Sequence, residues 1–149
     1  MAGEGHHHAE ELDRKKHWRG SAVEQVEGIA AGIFHFNVPE MALERLSQEP
    51  AGKLLSQAAL DQSFIAAAAV TFVWSAVLRR SISKYGHRAM RYIFLDAGHI
   101  CQNLLLAAET IGLAACPVAA FYDEECNELF GLDGEEETTI YMAAVGPKG

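Results

Sequence analysis

Lys84 stands next to Tyr85, with Arg79, Arg80, Arg88 and Arg91 close by in sequence. A lysine amine serves as a base near neutral pH only when desolvation or nearby cations lower its pKa, and the arginines supply the second condition. Taken alone, Lys84 also reads as a solvated lysine and Tyr85 as a packing aromatic ahead of a turn at Gly86. Asp96, His99 and Asn103 recur at i, i+3 and i+7, so they form one polar stripe on a helix. Between Asp96 and Asp123 the only charged side chain is Glu109. The stripe therefore sits in apolar surroundings and needs partners: a ligand, a second chain, or the backbone and each other. Asp and His three apart are metal-ligand types, but no third ligand stands nearby and no metal is expected. His6, His7 and His8 read as a solvated tract able to collect divalent metal adventitiously. Cys101, Cys116 and Cys126 are odd in number, lack metal or redox spacing, and sit among apolar neighbours, so they read as reduced and structural.

The elements that must position these groups follow from periodicity. Gly32 to Leu46 places an aromatic strand before the turn-like Asn37-Val38-Pro39-Glu40, which suits a hairpin; Pro39 in a first turn also admits a helix after Asn37. Ala51 to Ala69 carries Leu54, Leu55, Ala58, Ala59 and Ile65 at helical spacing and predicts one or two short helices, the second capped by Asp61. Val70 to Val77, β-branched and aromatic with apolar types on both alternating faces, predicts a central strand covered on both sides. Arg88 to Leu113 predicts the longest helix, ended at Gly112. A helix apolar on nearly all faces must be buried, and a domain this small hardly encloses it alone, so a second protomer is expected on one side. Ala115 to Phe121 then reads as a short strand with Pro117 at a sheet edge. An amphipathic helix capped by Asp123 follows to Phe130, and a last strand runs from Thr138 to Val145. Strands and helices mix without a βαβ repeat, so the class is α+β. Residues 1–27 are expected to be a polar arm, helical or disordered, and 28–149 a single domain.

The chain has 149 residues, half of them apolar, enough for one core without disulfides. A net charge of −8 argues against a nucleic-acid surface, while basic clusters at 13–19 and 79–91 leave room for a small anion. No signal peptide stands at the N-terminus and no apolar run reaches the roughly 18 residues of a membrane helix, so a cytoplasmic protein without a membrane partner is expected.

From Lys84 onward, KYGHRAMRYIFLDAGHICQNLLLAAETIGLAACPVAAFYDEECNELFGL resembles the nitroreductase superfamily. The Lys-Tyr pair and the Asp-Ala-Gly-His-x-x-Gln-Asn-Leu run resemble its SagB-type branch, flavin-dependent dehydrogenases that oxidise azoline rings. GIFHFNVPEMALERL is similar to the hairpin those proteins carry, and the likeness spans residues 28 to 146. GEGHHHAEE is faintly similar to the Gly-rich segment ahead of the first family strand.

The resemblance implies a nitroreductase-like α+β fold: a central mixed or antiparallel sheet flanked by helices, with the long helix buried at a homodimer interface. It implies FMN as cofactor and a substrate that is either a small nitro or quinone compound or an azoline in a modified peptide. Pro117, Val118, Ala119 and Ala120 would line the isoalloxazine, with an N–H near Ala119 or Ala120 donating toward N5. Lys84 and Tyr85 would be the catalytic pair, Lys84 as base and Tyr85 orienting substrate or relaying the proton. Lys148 would lie near the FMN phosphate. The superfamily also carries an earlier Arg-x-Ser-x-Arg type segment that grips the phosphate, and this sequence contains none. Loss of such charge-assisted bonds, about 1.5 to 3 kcal/mol each, makes a second expectation: a degenerate relative without turnover that binds or assembles with a partner.

Overall fold

The computed structural model describes residues 19–148. Six strands form one antiparallel sheet: β1 (Arg19–Val23), β2 (Gly32–Asn37), β3 (Ala42–Ser47), β4 (Val70–Val77), β5 (Leu113–Val118) and β6 (Glu137–Pro147), in the order β3-β2-β1-β4-β6-β5. The helices are α1 (Gly52–Ala58), α2 (Ser63–Ala67), α3 (Leu78–Tyr85), α4 (Ala89–Thr110) and α5 (Asp123–Phe130), with a 3₁₀ turn over Gly86–Arg88. The α+β class is as expected, and the sheet is antiparallel throughout.

The two alternating sets of strand side chains bury against different partners. One face collects Ala22, Ile33, Val73, Val118, Met142 and Ala144 against Leu55 and Ala58 of α1, Ile65 of α2, and Cys126 and Phe130 of α5. Leu55, Ile65, Val73 and Met142 have essentially no exposure, so each contributes about 1.5 to 3 kcal/mol. The other face sets Phe72, Trp74, Tyr141 and Ala143 against Ile100, Cys101, Leu104 and Leu105 of α4. β4 lies between β1 and β6 and feeds both cores, which is why its apolar residues do not alternate with polar ones.

Residues 19–27 depart from the expected polar arm. β1 pairs with β2 on one side and β4 on the other, and Ala22 and Val23 are buried. Five residues with only Ala and Val as apolar types carry little periodic signal; the strand is specified by the neighbours it joins. The rest of the arm, with His6 to His8, lies outside the described residues. Glu24, just after β1, accepts from the N–H groups of Ala51 at 3.0 Å and Gly52 at 2.7 Å and so caps α1 from a distance in sequence.

The hairpin reading of Gly32 to Leu46 holds. Asn37 Oδ1 accepts from the Glu40 N–H at 3.2 Å, and Met41 donates to the Val38 carbonyl, closing a turn in place of a helix. Asp61 does not cap α2: Asp61 has φ +58° and Gln62 is the N-cap residue, its side-chain amide donating to the Ala59 carbonyl at 2.7 Å. Asp123 is likewise the first helical residue of α5, where its charge favours the positive end of the helix, and the N-cap position belongs to Tyr122. Gly112, at φ +78°, ends the turn after α4 with its N–H on the Glu109 carbonyl, a conformation that favours glycine.

Within one chain α4 is buried along one face only. Ala89, Ile93, Ala97, Cys101 and Ala108 point inward, while Tyr92, Leu95 and Leu106 remain exposed along the outer side. Asp96, His99 and Asn103 lie on that exposed side as well. No helix among the described residues is long and apolar enough to cross a membrane.

Candidate functional site

A cavity of about 530 Å³ opens between the first half of α4, the segment after β5 and the start of β6. Met90, Phe94, Ala97 and Gly98 form one wall, Ala119, Phe121 and Asp123 another, and Thr138 to Tyr141 the floor. Local sequence explains the floor. β4 and β6 run in register to Trp74–Tyr141, then shift so that Ser75 faces Thr139, which makes Ile140 the extra residue of a bulge. Ile140 and Tyr141 therefore both pack toward α4. Asn127 of α5 holds the bulge from beneath: its Oδ1 accepts the Thr139 N–H at 2.7 Å and its Nδ2 donates to the Thr138 hydroxyl at 3.0 Å. Asp133 anchors the approach to β6 by accepting from the N–H groups of Glu135, Glu136 and Glu137 at 2.9 to 3.0 Å, which holds its carboxyl below the usual range.

Tyr141 is tilted against Trp74, with ring centroids 6.0 Å apart. Burial raises the pKa of its phenol, and a hydrogen bond with the Cys101 thiol raises it further. Burial likewise raises Cys101 and pushes Cys126 up to about 12, so both thiols are inert at neutral pH, as structural cysteines should be. Cys116 departs from that expectation in being exposed, because it lies on the edge strand β5.

The wall of small residues suits a flat ring. A Cβ built on Gly98 would meet nothing within 4 Å, so that face of α4 borders open space. Glycine inside a helix costs about 1 kcal/mol relative to alanine, so its presence at this position is the one local sequence signal of the wall. Apolar and aromatic side chains dominate the lining, which fits an isoalloxazine. Its anionic end is another matter: Asp123 is acidic, and no Lys or Arg among the described residues lines the cavity.

Of the residues singled out from sequence, Ala119 lines the cavity. Ala120 turns its carbonyl to Gln62 Nε2 at 3.1 Å, Val118 is buried beneath the sheet opposite Met142, and Pro117 pairs with Ala143 on the outer strand. Lys84 and Tyr85 end α3, both exposed, with the ammonium 5.1 Å from the Tyr85 ring centroid and the two tyrosine rings of Tyr85 and Tyr92 4.7 Å apart. Tyr92 and Phe94 are two positions apart on α4 and so project to nearly opposite sides, which puts the Lys84–Tyr85 pair on the flank away from the cavity. Lys148 follows β6 at its far end, about 20 Å along the strands from Ala119 at some 3.3 Å per residue. Its Nζ donates to Glu109 Oε1 at 2.7 Å. The structure thus brings Ala119 to the cavity and leaves Lys84, Tyr85 and Lys148 outside its lining.

An antiparallel six-stranded sheet with one long helix on a face and an apolar slot beside its strand ends is an α+β architecture that comparison with known proteins places in a family. The nitroreductase family profile matches residues 13–147, and the chain belongs to that family. A Methanocaldococcus jannaschii protein that carries the nitroreductase name is 33% identical over 126 residues, covering 85% of this chain and 62% of that protein. The chain thus spans under two thirds of that relative's length. A nitroreductase structure from Anabaena variabilis superposes with a TM-score of 0.83 at 29% identity, covering 89% of this chain and 27% of that one. The Escherichia coli microcin synthetase McbBCD complex, with a truncated pro-microcin bound, superposes at 0.75 over 93% of this chain and 54% of that one; at 17% identity this is a likeness of fold.

Proposed function

We propose that this chain is an FMN-dependent oxidoreductase of the SagB type, oxidising azoline rings in a modified peptide or reducing nitro or quinone compounds. The observation that carries the reading is the slot walled by Ala97, Gly98 and Ala119 over Ile140 and Tyr141. When bound, FMN supplies hydride transfer at its ring, which none of the twenty side chains can do. The small residues let main chain approach a flat face, and the backbone N–H around Ala119 or Ala120 is the donor toward the ring. Phe94 and Phe121 add apolar surface to the walls of the slot.

Azoline oxidation removes a hydride from one carbon and a proton from its neighbour, and Lys84 is the base we assign to that proton, with Tyr85 orienting the substrate. Because the pair stands on the other flank of α4, it serves a cavity across a homodimer, through the partner's copy of the slot. The exposed Leu95 and Leu106 on α4 favour such an interface. Lys148 lies about 20 Å along the strands from its own slot, so we assign it to the phosphate across the same homodimer, after release from Glu109.

A second reading, the same fold without turnover acting as a binding or assembly partner, is favoured by the lack of a cation among the described residues that line the cavity. Titrating purified protein with FMN and recording the visible spectrum separates the two. Binding of FMN with a perturbed flavin spectrum supports the oxidoreductase; a spectrum unchanged from free FMN at all concentrations supports the partner role.

A further inference from the structure

Five of the chain's 12 Lys and Arg residues fall within Arg79 to Arg91, and all 20 Asp and Glu residues lie outside 78–95. Arg79, Lys84, Arg88 and Arg91 are exposed on α3, the 3₁₀ turn and the first turn of α4, and no carboxylate is within ion-pair reach of these four among the described residues. Arg80 is the exception, placed to interact with Glu137. Between the cations the surface is not polar: Ile82 is 50% exposed, Tyr85 42% and Tyr92 38%. The two tyrosines form a tilted aromatic pair, and α3 buries none of its residues.

Like charges crowded without counter-ions cost free energy unless a partner supplies the opposite sign, and exposed aromatic and aliphatic groups among them give that partner something apolar to cover. We infer that the α3–α4 corner is a docking surface for an acidic peptide segment, one in which carboxylates alternate with aliphatic or aromatic side chains. The distribution favours a peptide over other anions. The cations are spread along two helices rather than converging on one point, as a single phosphate would require. A long nucleic acid would run off the basic corner onto a surface where carboxylates outnumber cations, whereas a short acidic segment would not. The inference concerns binding alone; it shares Lys84 and Tyr85 with the proposed catalytic pair and rests on this corner staying open beside the proposed homodimer interface.

The test is fluorescence anisotropy of the full chain with a short labelled peptide of alternating Glu and Leu, against the same peptide with Gln for Glu, with pyrophosphate and phosphatidylserine vesicles as further probes. The Glu peptide should bind, weaken steeply as salt rises, and bind about tenfold more weakly to the double variant Arg79→Glu, Arg88→Glu, since reversing two exposed pairs removes on the order of 1.4 kcal/mol. Tyr85→Ala should weaken it further, while Lys53→Glu, a reversal elsewhere on the surface, should leave it unchanged. These substitutions fall on exposed positions, and an unchanged melting temperature verifies the fold. Equal affinity for the Gln peptide, affinity unaffected by the double variant, or tighter binding of pyrophosphate or vesicles through the same arginines would each overturn the proposal.

Discussion

Lys148 and Glu109 join the end of β6 to the end of the long helix, ammonium to carboxylate at 2.7 Å, at the opposite end of α4 from the cavity. The two side chains are half exposed or more, so the pair adds little to stability. Its interest is competitive: a lysine held by Glu109 cannot at the same time hold a phosphate. Under the proposed assignment Lys148→Ala weakens FMN binding and Glu109→Gln, which frees the ammonium, strengthens it. Identical FMN affinities in the wild type and both variants would remove Lys148 from the site.

Gly98→Leu should block the slot without harming the fold. The new side chain projects into open space and the helix gains a better helix former, so the melting temperature should hold or rise slightly. FMN affinity, read by fluorescence quenching, should fall by about tenfold or more, since a methylene or two in a ligand's place costs at least 1 to 2 kcal/mol.

Lys84→Ala should bind FMN as the wild type does and lose turnover with azoline substrates, while nitro reduction, which requires no such proton abstraction, persists. Loss of flavin binding in this variant would instead make Lys84 a cofactor contact.

Asn127→Ala should destabilise the protein by about 2 to 3 kcal/mol, because it leaves the buried Thr139 N–H without its acceptor and removes the support of the β6 bulge. Denaturant unfolding measures this directly. Because the bulge sets Ile140 and Tyr141, residual folded protein should also bind FMN more weakly.

Burial raises the pKa of Glu137, partly offset by the hydrogen bond it accepts from Ser75. A carboxyl raised on folding favours the protonated form in the native state. Its contribution to stability is therefore fully present below the unfolded value, near 4.3, and is lost as pH rises through the higher folded value. Glu137→Gln should flatten the pH dependence of the melting temperature over that interval and gain relative to wild type above it. Parallel curves for the two proteins would show that Glu137 is not responsible.

Period and composition alone determined much of this molecule. The two-sided apolar run at Val70 to Val77 could only be a central strand, and the apolar run from Arg88 with Gly112 behind it could only be a long helix with one flank left for something else. Pro117 announced an edge strand because it lacks the N–H a second neighbour would need. β1 was illegible because a short strand of Gly, Ser, Ala and Val takes its identity from pairing with β2 and β4, which no local pattern encodes. The cavity was illegible for the same kind of reason. Gly98, Ala119 and Tyr141 meet only because a bulge at Ile140, held by Asn127 from another helix, turns the floor toward α4. Local sequence sets which face of each element is apolar; which faces then leave a gap between them is decided by how the elements pack.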